Sequence, residues 1–364
     1  MPRDSVFNHA YAVILAGGSG TRFWPASRRR RPKHLLEGIF GPGTLLERTV
    51  KRINPDIPAG RTYIFTNALL QRSITRLLPR IPSRQIVAEP AARNTAPSLG
   101  LAAHEILRRD PEGIMVVLPS DHLIRKAAVF RSVIRAAIEA GSVEGRSILV
   151  GIRPSSAHSG FGYIRQGGEL PAVRGHRMYS VRSFLEKPSL ETAARCVASG
   201  EYLWNGGMFV WRASTLLANL ARFKPGIARA LDRIAAAGGA DSPSTLARIY
   251  PRIEKISVDY AVAEHADQVC VIPADMGWSD VGSWSEVYAL RRKDADGNVR
   301  PPGSLCYDAR RNLIMARKFV AAVGVQDLVI IETPDAILVA NRNRAQDVGK
   351  AVAQMEKRGW QEIL

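Results

Sequence analysis

The fold is announced by the stretch Tyr11-Ala12-Val13-Ile14-Leu15-Ala16-Gly17-Gly18-Ser19-Gly20-Thr21-Arg22. Tyr11 to Ala16 is a short apolar run, which reads as a buried strand. It stops at Gly17-Gly18, where a tight turn is expected. Glycines let the backbone bend and approach phosphates closely, with N–H groups turned inward. Arg22 and, further on, Lys33 can neutralise phosphate oxygens, which backbone donors alone cannot do. The segment is not a Walker loop, because Lys-Ser/Thr does not follow the final glycine at the required spacing. It is a poor dinucleotide fingerprint too, since Gly18-x-Gly20 runs into Thr21-Arg22-Phe23 and lacks the helix-packing glycine. Taken alone, it also fits a glycine turn that holds no ligand.

Outward from this stretch the pattern alternates. Strands are predicted at Thr62–Thr66, Gln85–Ala88, Ile114–Pro119 and Ser147–Ile152. Helices with apolar periodicity fit between them at Leu45–Arg52, Leu69–Leu77, Thr95–Arg108 and Val129–Ala140. Such alternation implies an α/β fold: a doubly wound, mostly parallel sheet covered on both faces. Asn94 or Thr95 can cap the third helix, and Pro97 is acceptable in its first turn. Beyond Gly151 the pattern loosens, with short strands around Gly162–Arg165, Ser180–Glu186 and Gly207–Trp211. Helices are expected at Ser214–Asn219 and Gly226–Ala237. The Gly/Pro punctuation from Asp296 to Gly303 reads as a linker. Short strands follow at Asn312–Ala316, Val320–Val325, Leu328–Glu332 and Ala336–Ala340, then a helix at Arg344–Arg358. Residues 1–295 are therefore expected to form one domain, and 296–364 a β-rich module ending in a helix.

Of 364 residues, 46% are hydrophobic, enough for one large core or two domains. Three scattered cysteines, Cys196, Cys270 and Cys306, give neither a disulfide framework nor a zinc spacing, and suit a reducing cytoplasm. From Met1-Pro2-Arg3-Asp4 no secretory leader is expected, and no apolar run is long enough to span a membrane. The net charge of +18 raises the question of nucleic acid. Apart from Arg28-Arg29-Arg30-Arg31 the basic residues are scattered, with no aromatic-interleaved stripe. The excess reads as solvated surface that also steers anionic substrates, and no nucleic-acid partner is expected.

Other motifs carry chemistry. Leu118-Pro119-Ser120-Asp121-His122 lies at the end of an apolar strand, where ligands gather in open α/β sheets. Asp121 can hold Mg²⁺, a hard ion that prefers oxygen ligands. His122 beside one aspartate is more in keeping with structural hydrogen bonding than with zinc. Asp275-Met276-Gly277-Trp278-Ser279-Asp280-Val281-Gly282-Ser283-Trp284 offers Asp280 as a second metal carboxylate, with Trp278 and Trp284 as wall and core. Lys187, in Glu186-Lys187-Pro188, is a candidate phosphate ligand and Glu186 a hydroxyl acceptor. Trp204-Asn205-Gly206-Gly207 supplies an amide that can donate and accept. Glu89-Pro90 and Arg93-Asn94-Thr95 offer polar groups for a base near a helix start.

Together these motifs resemble the mannose-1-phosphate guanylyltransferase, or GDP-mannose pyrophosphorylase, family. The resemblance runs from about Tyr11 to Val352. It adds Gly162-Tyr163-Ile164, Asp259-Tyr260-Ala261-Val262 with Glu264, and Gln346-Asp347-Val348. The glycine signature belongs to all sugar-nucleotide pyrophosphorylases; Arg93-Asn94-Thr95-Ala96-Pro97 and the Trp-rich aspartate motif point to the mannose/guanine branch. The resemblance implies a Rossmann-like nucleotidyltransferase domain and a short left-handed β-helix-like tail, often used in forming a homodimer. It places Gly17, Gly18, Gly20, Arg22 and Lys33 at the GTP phosphates, and Leu15, Ala16, Thr21 and Ser120 among the residues that bind GTP. Glu89 and Asn94 are assigned to guanine and its ribose, and Asp121 and Asp280 to Mg²⁺. Lys187 falls to the phosphate of mannose 1-phosphate, and Gly162, Glu186 and Asn205 to the sugar. Long bacterial members append a phosphomannose isomerase domain, which this chain is expected to lack.

Departures lie at Lys33-His34, where the family commonly has Lys-Gln, at Gly206-Gly207, and at His158-Ser159-Gly160-Phe161. They leave open a relative that uses glucose 1-phosphate, UTP or dTTP. A nucleotide-binding regulatory protein without activity is a further alternative.

Overall fold

A computed structural model describes residues 5–364; the Met1-to-Asp4 start, read above as no secretory leader, lies outside the described residues. The chain gathers into two compact units. One holds the described residues up to Gly17 together with Thr49–Ser120 and Ile124–Trp278; the other holds Gly18–Arg48, Asp121–Leu123 and Ser279–Leu364.

The first unit is built on a nine-stranded sheet. Its strands are β1 (Ala10–Leu15), β2 (Thr62–Asn67), β3 (Ile86–Glu89), β4 (Ile114–Pro119), β6 (Ser147–Ile152), β7 (Tyr163–Val173), β8 (His176–Leu185), β9 (Tyr202–Arg212) and β10 (Val269–Ala274). The two-residue strands β5 (Leu123–Ile124) and β11 (Trp278–Ser279) are not part of it. The order is β3-β2-β1-β4-β9-β6-β10-β8-β7, in which β8 and β9 run against their neighbours and the others share one direction. The sheet is thus mixed but mostly parallel. Ala10 to Ile14 are all buried, because both faces of β1 are covered. The helices of this unit are α2 (Ala68–Leu77), α3 (Thr95–Leu107), α4 (Ala127–Gly141), α5 (Leu190–Ser199), α6 (Ala213–Phe223), α7 (Pro225–Ala236) and α8 (Pro243–Ile249); α1 (Leu45–Ile53) precedes them. Its core joins Tyr63, Phe65, Leu99, Met115, Trp211, Leu231 and Tyr250 among others.

Topology positions the chemistry. From β1 the chain moves out to β2 and β3, then returns to place β4 on the other side of β1. The direction of winding reverses between β1 and β4, and ligands bind at the carboxyl ends of strands at such a switch point. Leu15 pairs with Pro119, and Ser120 N donates to Leu15 O at 3.1 Å. The glycine signature and Asp121 follow directly on these strand ends.

The second unit contains α9 (Trp284–Leu290), β12 (Leu305–Tyr307), β13 (Leu313–Met315), β14 (Ala321–Val323), β15 (Leu328–Glu332), β16 (Ile337–Asn341) and α10 (Val348–Lys357). Parallel pairs β12–β14 and β13–β15 make this region β-rich, with β16 antiparallel on β15. Its core takes in Phe23, Trp24, Leu36 and Phe40 from the signature segment and Trp284, Val329, Ile331, Val348 and Val352 from the tail. Phe23 meets Phe40 and Trp284 edge-on, and Trp284 Nε1 donates to Trp24 O. Trp284 is therefore a core residue, as read above. The arginine run is partly neutralised: Arg28 pairs with Asp335 and Arg29 with Glu356.

Several elements differ from the sequence reading. β7 and β8 form one long hairpin, turned at Arg174 and Gly175, both at positive φ. Glycines and a proline inside β7 break the alternation that would have revealed its length. β10 was not expected, although Val-Cys-Val-Ile is a plain apolar run; α5, α8, α9 and β12 are also additional.

Candidate active site

The residues singled out in the sequence divide between the two units.

In the second unit, Gly20 sits at φ 63°, and a Cβ there would stand 2.6 Å from Lys33 Cβ. Only glycine lets the turn close so tightly on Lys33. The Lys33 side chain is 7% exposed, and its Nζ lies 5.8 Å from the Phe23 ring centroid. Burial leaves the ammonium in need of acceptors. It finds Asp121 Oδ2 at 2.9 Å and the main-chain oxygen of Asp280. Lys33 thus ties together the two carboxylate-bearing segments expected to hold metal.

The surroundings push these two aspartates in opposite directions. Burial works to raise the Asp121 pKa, but Lys33, with His122 and His34, outweighs it and holds the carboxyl well below its usual range. Asp280 is pushed up to about 7, by burial first and then by Glu286 across the loop, with Lys33 opposing. Glu286 accepts from Ser279 Oγ at 3.1 Å and Gly282 N at 2.9 Å, which fixes the loop bearing Asp280. His34 is buried and held neutral, its pKa lowered to about 4 by burial, and its Nε2 has no hydrogen-bond partner among the described residues. Arg22 is exposed and donates to Gln346 Oε1 at 2.7 Å. Thr21 opens the Thr21–Phe23 turn that carries Arg22, and Gly18 is exposed.

The donor set suits a hard divalent ion. Asp121 and Asp280 supply carboxylate oxygens, and the crowding of Asp280 by Glu286 and Asp121 is what a cation would relieve. No group of three His, Cys, Asp or Glu side chains forms a ready cage among the described residues. Such a site leaves ligand positions for phosphate and water, as Mg²⁺ commonly requires.

In the first unit, Ala16 N and O are both used, by Phe65 O and by the Thr66 hydroxyl. Leu15, Ala16 and Ser120 therefore contribute backbone shape more than free donors. Glu89, at the end of β3, accepts from Ser98 Oγ and from the Tyr250 hydroxyl, both on Oε1. Its Oε2 would stand 3.9 Å from a Cβ at Gly17. Burial raises the Glu89 pKa, and the two hydroxyl donors oppose that rise. Asn94 caps α3 through its own Oδ1, from Thr95 N, while the Thr95 hydroxyl accepts from Val258 N.

The expected sugar residues also gather. A Cβ at Gly162 would lie 2.6 Å from Glu186 Oε2, so the glycine makes room for that carboxylate. Asn205 N donates to Gly162 O at 2.7 Å, and Asn205 Nδ2 to Asp259 Oδ1 at 2.8 Å. Lys187, at φ 48°, pairs with Glu186 Oε1 at 2.6 Å. Burial, with Glu186 adding to it, pushes Asp259 up to about 6. Phe161, Trp204 and Trp278 pack ring against ring.

Sequence reasoning assigned no role to Ser98, Tyr250, Asp259, Glu286 or Gln346. Asp259 and Gln346 stood inside quoted motifs, which was a signal. Tyr250 gave none, because its link to Glu89 spans 161 positions.

Comparison with known proteins gives a consistent picture. The nucleotidyl transferase family model matches residues 11–297, and the MannoseP isomerase/GMP-like beta-helix domain matches 305–355. A protein of Klebsiella pneumoniae named mannose-1-phosphate guanylyltransferase is 40% identical over 349 residues, 93% of this chain and 72% of its own length. One of the same name from Escherichia coli K12 is 38% identical over 365 residues, 97% of this chain and 74% of its own. A crystal structure from Thermus thermophilus, described as a mannose-1-phosphate geranyltransferase, superposes with a TM-score of 0.83 at 32% identity, over 96% of this chain and 99% of that one.

Proposed function

This chain belongs to the mannose-1-phosphate guanylyltransferase family, and on that premise we propose that it converts GTP and α-D-mannose 1-phosphate to GDP-mannose and diphosphate. The observation that carries the reading is Lys33, buried and bound at once to Asp121 and to the Asp280 segment. A buried cation joined to two carboxylate segments, beside an exposed arginine, is suited to a polyphosphate and its metal.

A phosphate oxygen of mannose 1-phosphate attacks the α-phosphorus of GTP in line. The new P–O bond forms as the bond to the β-phosphate oxygen breaks, and diphosphate leaves from the opposite side. No covalent protein intermediate is needed. Arg22 and Lys33 offset charge on the triphosphate, and Gly17, Gly18, Gly20 and Thr21 shape the backbone around it. Lys187 meets the phosphate of the sugar substrate, with Glu186, Asn205 and Gly162 toward its hydroxyls. Mg²⁺, held by Asp121 and Asp280, would supply charge neutralisation at the reacting phosphates. Orientation of two anions and electrostatic stabilisation dominate over acid–base work.

Glu89 supports guanine. With Oε1 occupied by Ser98 and Tyr250, Oε2 is left to accept from a base. Guanine presents adjacent N–H donors on its pairing edge, where adenine does not. A fixed carboxylate therefore discriminates between the two purines. Asn94, with its Oδ1 in the cap, has its amide N–H groups for the ribose.

Residues 1–295 form the catalytic segment and 296–364 the tail. The tail exposes Leu305, Tyr307, Phe319, Val323, Ile337 and Val339, an unusual amount of apolar surface that supports a homodimer formed through it. No helix among the described residues is long and apolar enough to cross a membrane. The three cysteines are free, which fits the cytoplasm.

The test is a matrix of GTP, ATP, UTP and dTTP against mannose and glucose 1-phosphates, following diphosphate and sugar nucleotide together. GDP-mannose should dominate. UDP-glucose or dTDP-glucose well above it would overturn the substrate assignment, and no diphosphate from any pair would leave a nucleotide-binding protein without activity.

A further inference from the structure

Arg22 and Lys33 are the two cations of the proposed triphosphate site. Unlike Lys33, Arg22 is exposed, and an arginine free in solvent samples many rotamers. It is nevertheless given a fixed direction by the tail. Its Nη1 donates to Gln346 Oε1 at 2.7 Å, across 324 positions of sequence. Gln346 lies in the 3₁₀ turn Arg342–Asp347 that leads into α10. One turn on, Gly349 offers no side chain, and a Cβ there would stand 3.4 Å from Arg22 Cγ and 3.7 Å from Thr21 Oγ1. The arginine stem thus runs along the start of α10. On its other side Arg22 Nη1, Asp280 Oδ2 and Glu286 Oε1 all border Gly282, at 3.4, 3.2 and 3.1 Å from where its Cβ would be.

The chemistry of the acceptor is informative. A carboxylate would hold a guanidinium more tightly, and one is available next door at Asp347. That carboxylate is turned to Arg344 and Lys350, at 2.9 and 2.7 Å. The hydrogen-bond acceptor that Arg22 does have is a neutral amide oxygen, which gives the guanidinium a direction, while the Asp280 and Glu286 carboxylates lie nearby. An incoming triphosphate then meets a cation that is already oriented.

We propose that Gln346 is a positioning residue for the transfer reaction, aiming Arg22 through an uncharged acceptor. The inference rests on the reading of Arg22 as a ligand of the GTP phosphates. It makes the tail part of the catalytic apparatus and not only a support for it.

The experiment measures steady-state kinetics and thermal stability for Gln346→Ala, Gln346→Glu, Arg22→Ala and the two double variants. A solvent-facing hydrogen bond makes a modest contribution, so Gln346→Ala should lower kcat/KM for GTP by about tenfold. Its melting temperature and its KM for mannose 1-phosphate should stay near wild type. Gln346→Glu keeps an acceptor in place and should melt no lower than wild type, yet lose at least as much kcat/KM as Gln346→Ala. In the Arg22→Ala background neither change should matter further. If both Gln346 variants stay within about twofold of wild type while Arg22→Ala is severely impaired, the positioning role is overturned and the role of Arg22 stands. The positioning role falls equally if Gln346→Glu is as active as wild type, since a purely structural acceptor would permit that. Near-normal activity of Arg22→Ala would instead overturn the reading on which the inference rests.

Discussion

Glu89 is a carboxylate with one oxygen held by two hydroxyls and the other without a hydrogen-bond partner among the described residues. The amide of Glu89→Gln removes the charge while keeping the shape. Hydrogen bonds to a charged acceptor are worth more than neutral ones, so kcat/KM for GTP should fall by about 10- to 100-fold. Preference over ATP should narrow with it, as read from competition between the two nucleotides. Asp280 makes a second residue-scale test. Asp280→Asn should lower turnover by about 100-fold or more while the protein stays folded. Turnover near wild type at saturating Mg²⁺ would remove its metal role. Both residues were legible in the sequence as acidic groups beside strand ends or glycines. What separates them was not: Glu89 is tempered by Ser98 and Tyr250, whereas Asp280 faces Glu286 and is driven up to about 7. Partners brought in from distant segments set those differences.

At the scale of elements, the turn at Gly20 and the start of the Asp259 segment are the informative pieces. Gly20→Ala forces a Cβ into the left-handed region and against Lys33. It should cost about 1–2 kcal/mol of stability from the backbone alone. Calorimetry should show the loss together with reduced turnover. Asp259 opens a π-helical turn and is faced by Glu186, Lys187 and Asn205. Its folded pKa of about 6 is raised above the ordinary 3.8, so the native state binds the proton more tightly than the unfolded chain. The resulting stability is present in full below the ordinary value and is lost as pH rises through about 6. Asp259→Asn should flatten the melting temperature across that interval, and an unchanged pH profile would show that Asp259 is not the source. Most strands and helices of the first unit were legible because apolar runs alternate with periodic segments. The β7–β8 hairpin was not, since Gly167, Gly168 and Pro171 hide its alternation, and only pairing along its length defines it.

For the whole molecule, the apolar surface of the tail makes the testable claim. If the proposed homodimer forms through this surface, the unchanged protein should run as a dimer and Tyr307→Glu with Val339→Glu as a monomer, as measured by light scattering after size exclusion. A dimer that survives both changes would put the contact elsewhere. The tail was legible as a β-rich module following a Gly/Pro linker. Its role in the compact unit was not, because the signature residues Phe23 and Trp24 are buried with Trp284 and Val348 in one core. A contact of that separation leaves no local trace in the sequence.

The sequence by itself determined the alternating α/β architecture, the glycine signature, and the acids and cations proposed for the reaction. These are set by local periodicity, by the conformational demands of glycine and by the chemistry of side chains, all readable residue by residue. Only the tertiary structure decided that Lys33 binds two carboxylate segments at once, that Tyr250 holds Glu89, and that Gln346 directs Arg22. Those are pairings between residues far apart in the chain, and burial and long-range packing select them where local rules are silent.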